Sequence, residues 1–145
     1  MARYSLGFST PAAAAGAAFA VLRTAASERA FVREIGLFLN AATASSIGLI
    51  RASSTGTPST SVLGQAMDAA DAAATANVDT AWSGAPTIGS NYLRKITLPA
   101  AIGNGVIWTF GERNGLCLPV SAGLVIWNYG GSAASVLNGY IEWEE

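Results

Sequence analysis

The sequence predicts an all-β chain folded as an antiparallel sandwich or barrel, and three observations carry that expectation. The last third alternates apolar and polar residues in three bursts: Val106-Ile107-Trp108-Thr109-Phe110, Leu124-Val125-Ile126-Trp127-Asn128-Tyr129 and Val136-Leu137-Asn138-Gly139-Tyr140-Ile141-Glu142-Trp143. Aromatic and β-branched residues at a period of two, interrupted by Gly, Asn and Pro, pack as strands of a sheet. Similar runs recur through the rest of the chain with turn residues between them, giving about eight or nine strands at the spacing of a sandwich or barrel. The run Val62–Ala74, which could form one or two helical turns, has too little apolar content for a core helix. At 145 residues the chain suits one domain, residues 1–145, able to bury a core without disulfides or metal.

Taken in order, Tyr4, Leu6 and Phe8 alternate with Ser5, Gly7 and Ser9, so residues 1–11 form a strand or an extended arm that Pro11 ends. Such an arm can lie on its own subunit or on a neighbour. Between Ala17 and Thr24, Phe19, Val21 and Arg23 alternate with Ala18, Ala20 and Leu22; alanine also favours helix, but the following run supports a strand. In that run, Ala30 to Asn40, Phe31, Arg33, Ile35, Leu37 and Leu39 share one side of the pleat. Val32, Glu34, Gly36 and Phe38 share the other, and the mid-run glycine opposes a helix. Ser46 to Arg51 is the next strand, expected to pair with its predecessor as a hairpin through Ala41–Ser45.

Residues 52–76 are rich in Ser, Thr, Gly, Ala and Asp and contain Pro58, which reads as a long loop over the surface. Long loops within compact domains tend to mediate contacts, so this one is a first candidate for partner binding. Val78 to Trp82 resumes the alternation, Ser83 to Asn91 turns, and Tyr92 to Leu98 forms a strand with Tyr92, Arg94, Ile96 and Leu98 on one face. Pro99–Gly105, Gly111–Gly115, Ser121–Gly123 and Gly130-Gly131 separate the remaining strands.

Composition restricts function. Only 12% of residues are charged and 51% are hydrophobic, so the surface must be built from Ala, Ser, Thr, Gly and Asn. A surface so poor in charge fits a buried oligomer interface; an Ala-rich composition throughout is the plainer explanation. The net charge is −1, and the eight basic residues are scattered without a cluster that would track a phosphate backbone, which disfavours direct nucleic-acid binding. No run of about eighteen strongly apolar residues is present to span a membrane as a helix. Ala12 to Leu22 has the length of a signal-peptide core but lacks its strongly apolar side chains. The lone cysteine, Cys117, lies in the apolar run Leu116–Leu118 and is expected to be a buried free thiol.

Histidine is absent, which removes the commonest general base and the usual triads and zinc sites. Asp68 and Asp71 supply too few oxygens for a calcium loop and suit a turn. Glu142 and Glu144 share one face of a strand, where they keep an edge soluble or serve as a glycosidase pair. Trp82, Trp108, Trp127, Tyr129, Tyr140 and Trp143 are core aromatics or a sugar-stacking platform. No catalytic, cofactor-binding or metal-binding residue is assigned, and the chain is not expected to be an enzyme.

The Tyr4–Phe8 strand, the run Glu34-Ile-Gly-Leu-Phe-Leu-Asn-Ala-Ala-Thr-Ala-Ser-Ser-Ile-Gly-Leu-Ile-Arg51, the segment Gly64-Gln-Ala-Met-Asp68 with Asp71 onward to Ala81-Trp82, and Ala85-Pro86-Thr87 form one combination with the Leu98-Pro99 to Phe110-Gly111 stretch and the ending Tyr140-Ile-Glu-Trp-Glu-Glu145. Together they resemble small jelly-roll capsid decoration or minor head proteins of tailed bacteriophages and prophages. The resemblance implies a two-sheet β-sandwich of jelly-roll type and a structural virion protein, a head-stabilising decoration protein on the capsid surface, made in the bacterial host cytoplasm. Its partners would be further copies of itself, as a homotrimer, and the major capsid protein or another virion protein. Tyr4, Leu6, Phe8, Val62, Leu63, Met67 and Trp82 are the candidate oligomer or capsid interface. A carbohydrate- or receptor-binding module of a phage fibre or spike, with Trp82 or Trp143 exposed, is the alternative.

Overall fold

A computed structural model describes residues 1–111 and 115–145. The chain is all-β, with two antiparallel sheets of six strands each packed face to face. In the first sheet β1 (Arg3–Ser9) lies between β12 (Leu137–Glu144) and the short β6 (Gln65–Ala66), and β12 pairs on its other side with β3 (Ala30–Leu39). The far edge of β3 is shared: β10 (Leu116–Leu118) covers its first residues and β9 (Gly105–Thr109) its second half. The second sheet runs β5 (Thr57–Leu63), β7 (Asn77–Gly84), β2 (Ala18–Arg23), β11 (Gly123–Asn128), β4 (Ser45–Ser54), β8 (Thr87–Leu98).

The alternation read from the sequence explains the core. Tyr4, Leu6 and Phe8 point inward from β1, Leu137, Ile141 and Trp143 from β12, and Leu22, Leu124, Ile126, Ile47 and Leu49 from the facing sheet. Turn 111–115, expected between β9 and β10, includes residues 112–114, which lie outside the described residues.

Four expectations are corrected. The run Ala30–Asn40 does not keep one pleat. Glu142 is opposite Glu34 and Trp143 opposite Val32, so Arg33 is an extra residue in a β-bulge. The bulge turns Val32 inward together with Ile35, Leu37 and Leu39, while Phe31 and Arg33 are only half-buried. Secondly, β3 and β4 are not a hairpin: the intervening residues carry the chain from one sheet to the other, and β4 pairs with β11 and β8.

Thirdly, residues 52–76 are not a surface loop. They finish β4, turn at Thr55-Gly56 and form β5 and β6. Gly56 adopts φ +71°, and a Cβ there would lie 2.3 Å from the Gly84 carbonyl oxygen, so the turn needs glycine for conformation and for space. Residues 67–76 then close the flank between the sheets. Ala74 and Ala76 join the core, the Tyr4 hydroxyl donates to the Ala72 carbonyl, and the Thr75 and Ala76 amides donate to the Glu145 carboxylate. The expected turn at residues 83–91 is likewise mostly strand, with only Ala85-Pro86 between β7 and β8.

β4 and β8 pair as far as Ser54 and Thr87, and β5 and β7 resume at Thr57 and Gly84. The two pairs are thus one long ribbon, bent at its middle and fixed at its far end to β2. At the bend, Thr55 Cγ2 lies 2.6 Å from where a Cβ on Gly123 would be. The ribbon closes over the outer face of the second sheet and creates a small second core there.

Candidate interaction surfaces

Three surfaces carry the chemistry available to this chain: the outer face of each sheet, and the flank where β5 and β6 are the edges. On the second sheet one row of paired residues crosses all six strands: Ser61, Asp79, Val21, Val125, Ile50, Tyr92. Val21, Val125 and Ile50 are fully buried, although they face away from the main core, because Trp82, Ile88, Tyr92 and Trp127 pack over them. Beside this cluster Tyr92 and Tyr129 meet edge to face with centroids 5.8 Å apart, and the Lys95 ammonium stands 4.1 Å from the Tyr129 centroid and 5.0 Å from that of Tyr92. Gly48 makes room for both rings; a Cβ there would come within 2.5 Å of Tyr92. Burial pushes the Tyr92 hydroxyl above its usual range. Trp82 is half-buried, and its Nε1 is enclosed with no hydrogen-bond partner among the described residues.

At the same row's other end Asp79 is wholly buried. It accepts from Arg23 Nε at 2.8 Å and from Nη2 at 3.3 Å, and the Ser61 hydroxyl also donates to it. The hydrogen bond to Asp79 raises the Arg23 pKa further, against the opposing effect of burial.

The outer face of the first sheet is polar at one end and glycine-rich at the other. Arg3 pairs with Glu142 at 2.7 Å and Arg33 with Glu144 at 2.5 Å. Arg3, Arg33, Glu34, Thr109, Phe110 and Glu144 line a cleft of ≈ 590 Å³. The hydrogen bond from Arg33 holds the Glu144 carboxyl below the usual range despite partial burial. Glu144 is therefore ionised, which is the opposite of the protonated carboxyl that glycoside hydrolysis uses as its acid.

Farther along, Tyr140 lies flat over Gly36, where a Cβ would come within 2.2 Å of the ring, and its hydroxyl donates to Glu34 at 2.5 Å. This bond, with burial and the charges of Glu34 and Glu142 adding to it, pushes the Tyr140 pKa up to about 12. A folded-state pKa above the unfolded value of about 10 means the protonated phenol stabilises the fold; that contribution is complete below about pH 10 and is lost as pH rises toward 12. Phenolate absorbance should thus show one tyrosine titrating near pH 12 in the folded protein. Glu34→Gln should bring that transition down, and an unchanged transition would mean Glu34 is not its cause.

The seven residues expected at an interface separate into two groups of three, with Trp82 apart from both. Val62, Leu63 and Met67 are exposed, at 47%, 44% and 57%, and lie together on the β5–β6 flank joined through Gly64. Tyr4 and Leu6 are core residues at 4% and 8%, and Phe8 packs half-buried against the same core, because β1 is an interior strand of its own sheet rather than an arm. The accessible area, 6692 Å², is close to the roughly 6,900 Å² of a compact monomer of this mass. Trp82 covers the second core. Of the other aromatics, Trp108 and Trp143 are buried in the main core and cannot present a ring to a sugar. Cys117 is half-buried rather than buried, since β10 is an edge strand.

Asp68 makes a turn, its Oδ1 accepting from the Ala70 amide at 2.9 Å. No group of three or more His, Cys, Asp or Glu side chains among the described residues converges as a metal requires. Asp79 and the Tyr92–Tyr129–Lys95 group were not singled out by the sequence reading. An aspartate inside the alternating run Val78 to Trp82 is the local signal for Asp79. No protein-family model, no curated protein and no solved structure matches the chain.

Proposed function

We propose that this chain is a structural virion protein of a tailed bacteriophage, a capsid decoration protein that acts as a symmetric homo-oligomer on the outside of the head. The observation that carries this reading is the strand order. Without β5, β6 and β7, one sheet reads β1, β12, β3 and then the β9/β10 edge, and the other reads β2, β11, β4, β8. This order supports a jelly roll, in which chain halves are wound antiparallel against each other, an architecture that recurs in viral capsid domains. On this reading β5–β7 is an insertion between the fourth and fifth strands of the roll. The charge-poor surface and the exposed flank support assembly, with the major capsid protein as the partner and a trimer as the order that the resemblance implies. Decoration adds buried area across subunit junctions and holds the shell through many modest contacts. Purified protein should co-sediment with capsids of the phage that encodes it, in a ratio fixed by capsid symmetry. A protein that stays in the supernatant at micromolar concentration refutes the reading.

A carbohydrate-binding module is the second reading, favoured by the half-exposed aromatics of the outer second sheet. Trp82 and Trp127 are its candidate stacking residues, since Trp143 is enclosed. Glycan-array binding that Trp127→Ala abolishes would support it over decoration; an array with no signal removes it.

A further inference from the structure

We infer that Asn104 is a site of spontaneous covalent modification, where the side-chain amide closes on the Gly105 nitrogen and water opens the product to aspartate or isoaspartate. The inference is independent of the virion reading. Asn-Gly pairs are the most open to this reaction, because glycine has no side chain to crowd the attacking nitrogen. Three stand in the sequence, at Asn104, Asn114 and Asn138, and Asn114 lies outside the described residues. The fold treats the other two in opposite ways.

Asn104 stands between Gly103, at φ +87°, and Gly105, where the turn after β8 enters the edge strand β9. Along β3 and β9 the Leu39 amide donates to the Asn104 carbonyl and the Phe110 amide to the Arg33 carbonyl, so the hydrogen-bonded pairs fall on the odd-numbered residues of β3. Gly105 is opposite Phe38 and therefore turns its N–H to the open side of β9, which no strand among the described residues covers. The attacking nitrogen is thus uncommitted. The Asn104 side chain is tied among the described residues by Nδ2 alone, which donates to the Pro99 carbonyl at 3.1 Å. Ring closure swings the Asn104–Gly105 peptide and breaks the bond from Leu39, but that bond lies at the end of its ladder, where fraying costs least.

Asn138-Gly139 lies inside its sheet, in β12 between β1 and β3. The Thr10 amide donates to the Leu137 carbonyl and the Ala2 amide to the Glu145 carbonyl, so the same alternation makes Gly139 and Phe8 a hydrogen-bonded pair and holds the Gly139 N–H on the Phe8 carbonyl. Asn138 Oδ1 also accepts from the Ser9 hydroxyl at 2.7 Å. Attack there requires the middle of the sheet to open. At Asn104 the Gly105 amide gives its proton to hydroxide, its nitrogen bonds to Cγ, and Nδ2 leaves as ammonia. Water then opens the cyclic imide at Cγ, giving aspartate, or at the main-chain carbonyl carbon, giving isoaspartate with the chain routed through Cβ. Either product removes the donor to Pro99 and adds a negative charge two residues from Ile102, which is 70% exposed.

Incubating the folded full chain at mildly alkaline pH and mapping its peptides by mass spectrometry tests this, with the chain unfolded in urea as the reference. Asn104 is expected to convert in the folded chain at close to its rate in urea, while Asn138 is slowed by at least about tenfold because its strand must open first. The rate at Asn104 should rise with pH, since the attacking nitrogen must lose its proton. Asn104→Gln, shown by circular dichroism to be folded, should remove the products at that position and leave Asn138 as it was. An Asn104 that survives in the folded chain while it converts in urea overturns the inference. So does an Asn138 that converts in the folded chain as fast as Asn104, because the strand pairing would then select nothing.

Discussion

Trp143→Ala is expected to lower folding stability by about 3–5 kcal/mol and the melting temperature by on the order of 10 °C. Trp143 is fully buried, and three separate contacts end on it. Its ring stacks on Tyr4 with centroids 6.0 Å apart, and Nε1 donates to Glu145 at 2.8 Å. Gly64 lies so close that a Cβ there would stand 2.3 Å from the ring and 3.3 Å from Ala74. The indole thus reaches from β12 to Gly64, where the chain passes from β5 to β6. Truncation leaves a cavity that Gly64 has no side chain to fill, and it removes one donor from the Glu145 carboxylate. Trp143→Phe keeps most of the volume and should cost clearly less. Urea unfolding of both variants checks this; a loss below about 1 kcal/mol for the alanine variant would mean that the flank collapses to refill the space.

Asp79→Ala should be comparably severe, at about 3–5 kcal/mol, for an electrostatic reason. Asp79 has no exposed surface, and the Arg23 side chain is 28% exposed. Removing the carboxylate leaves a largely enclosed guanidinium without its counter-charge. Arg23→Ala should cost at least as much, since it leaves a buried carboxylate with Ser61 as its remaining side-chain hydrogen-bond partner. The double variant is the informative one, because once both charges are gone neither is stranded. Its cost should fall well short of the sum of the singles. Because Ser61 joins β5 to this pair, hydrogen exchange across β5 should also quicken in Asp79→Ala. Strict additivity, or a single cost near that of a surface ion pair, would show that water already screens the pair.

Strand faces were legible wherever one side of a strand is core and the other solvent. Tyr4, Leu6 and Phe8 alternate as read, as do Ile141 and Trp143 against Glu142 and Glu144. β5 was not legible because Thr57–Leu63 is an exposed edge: small hydroxyl residues face solvent on both sides, so no period appears. The β3 bulge left only an oblique trace, an interval of three between Val32 and Ile35 where the inward set otherwise steps by two. The β3–β4 hairpin failed because neighbouring strands in the sequence here belong to opposite sheets. On the surfaces, exposure of Val62, Leu63 and Met67 followed from their setting among polar residues. The second core did not, because Val21, Ile50 and Val125 are buried only by a ribbon that folds back over its own sheet, and the turn residues at Gly56 and Pro86 mark the bend without its direction.

The positions of β11 and β12 bear on how the chain reaches this structure. β11 lies between β2 and β4, and β12 between β1 and β3, so a central strand of each sheet follows in sequence all the strands it joins. During synthesis the first hundred residues can form the β4–β8 and β5–β7 ribbon, whose partners are close in sequence. The strands β1 to β3 must each wait with one edge unsatisfied until β11 and β12 leave the ribosome. Folding is therefore expected to be slow and to finish late, with the nascent chain most prone to aggregate just before Gly123–Asn128 emerges.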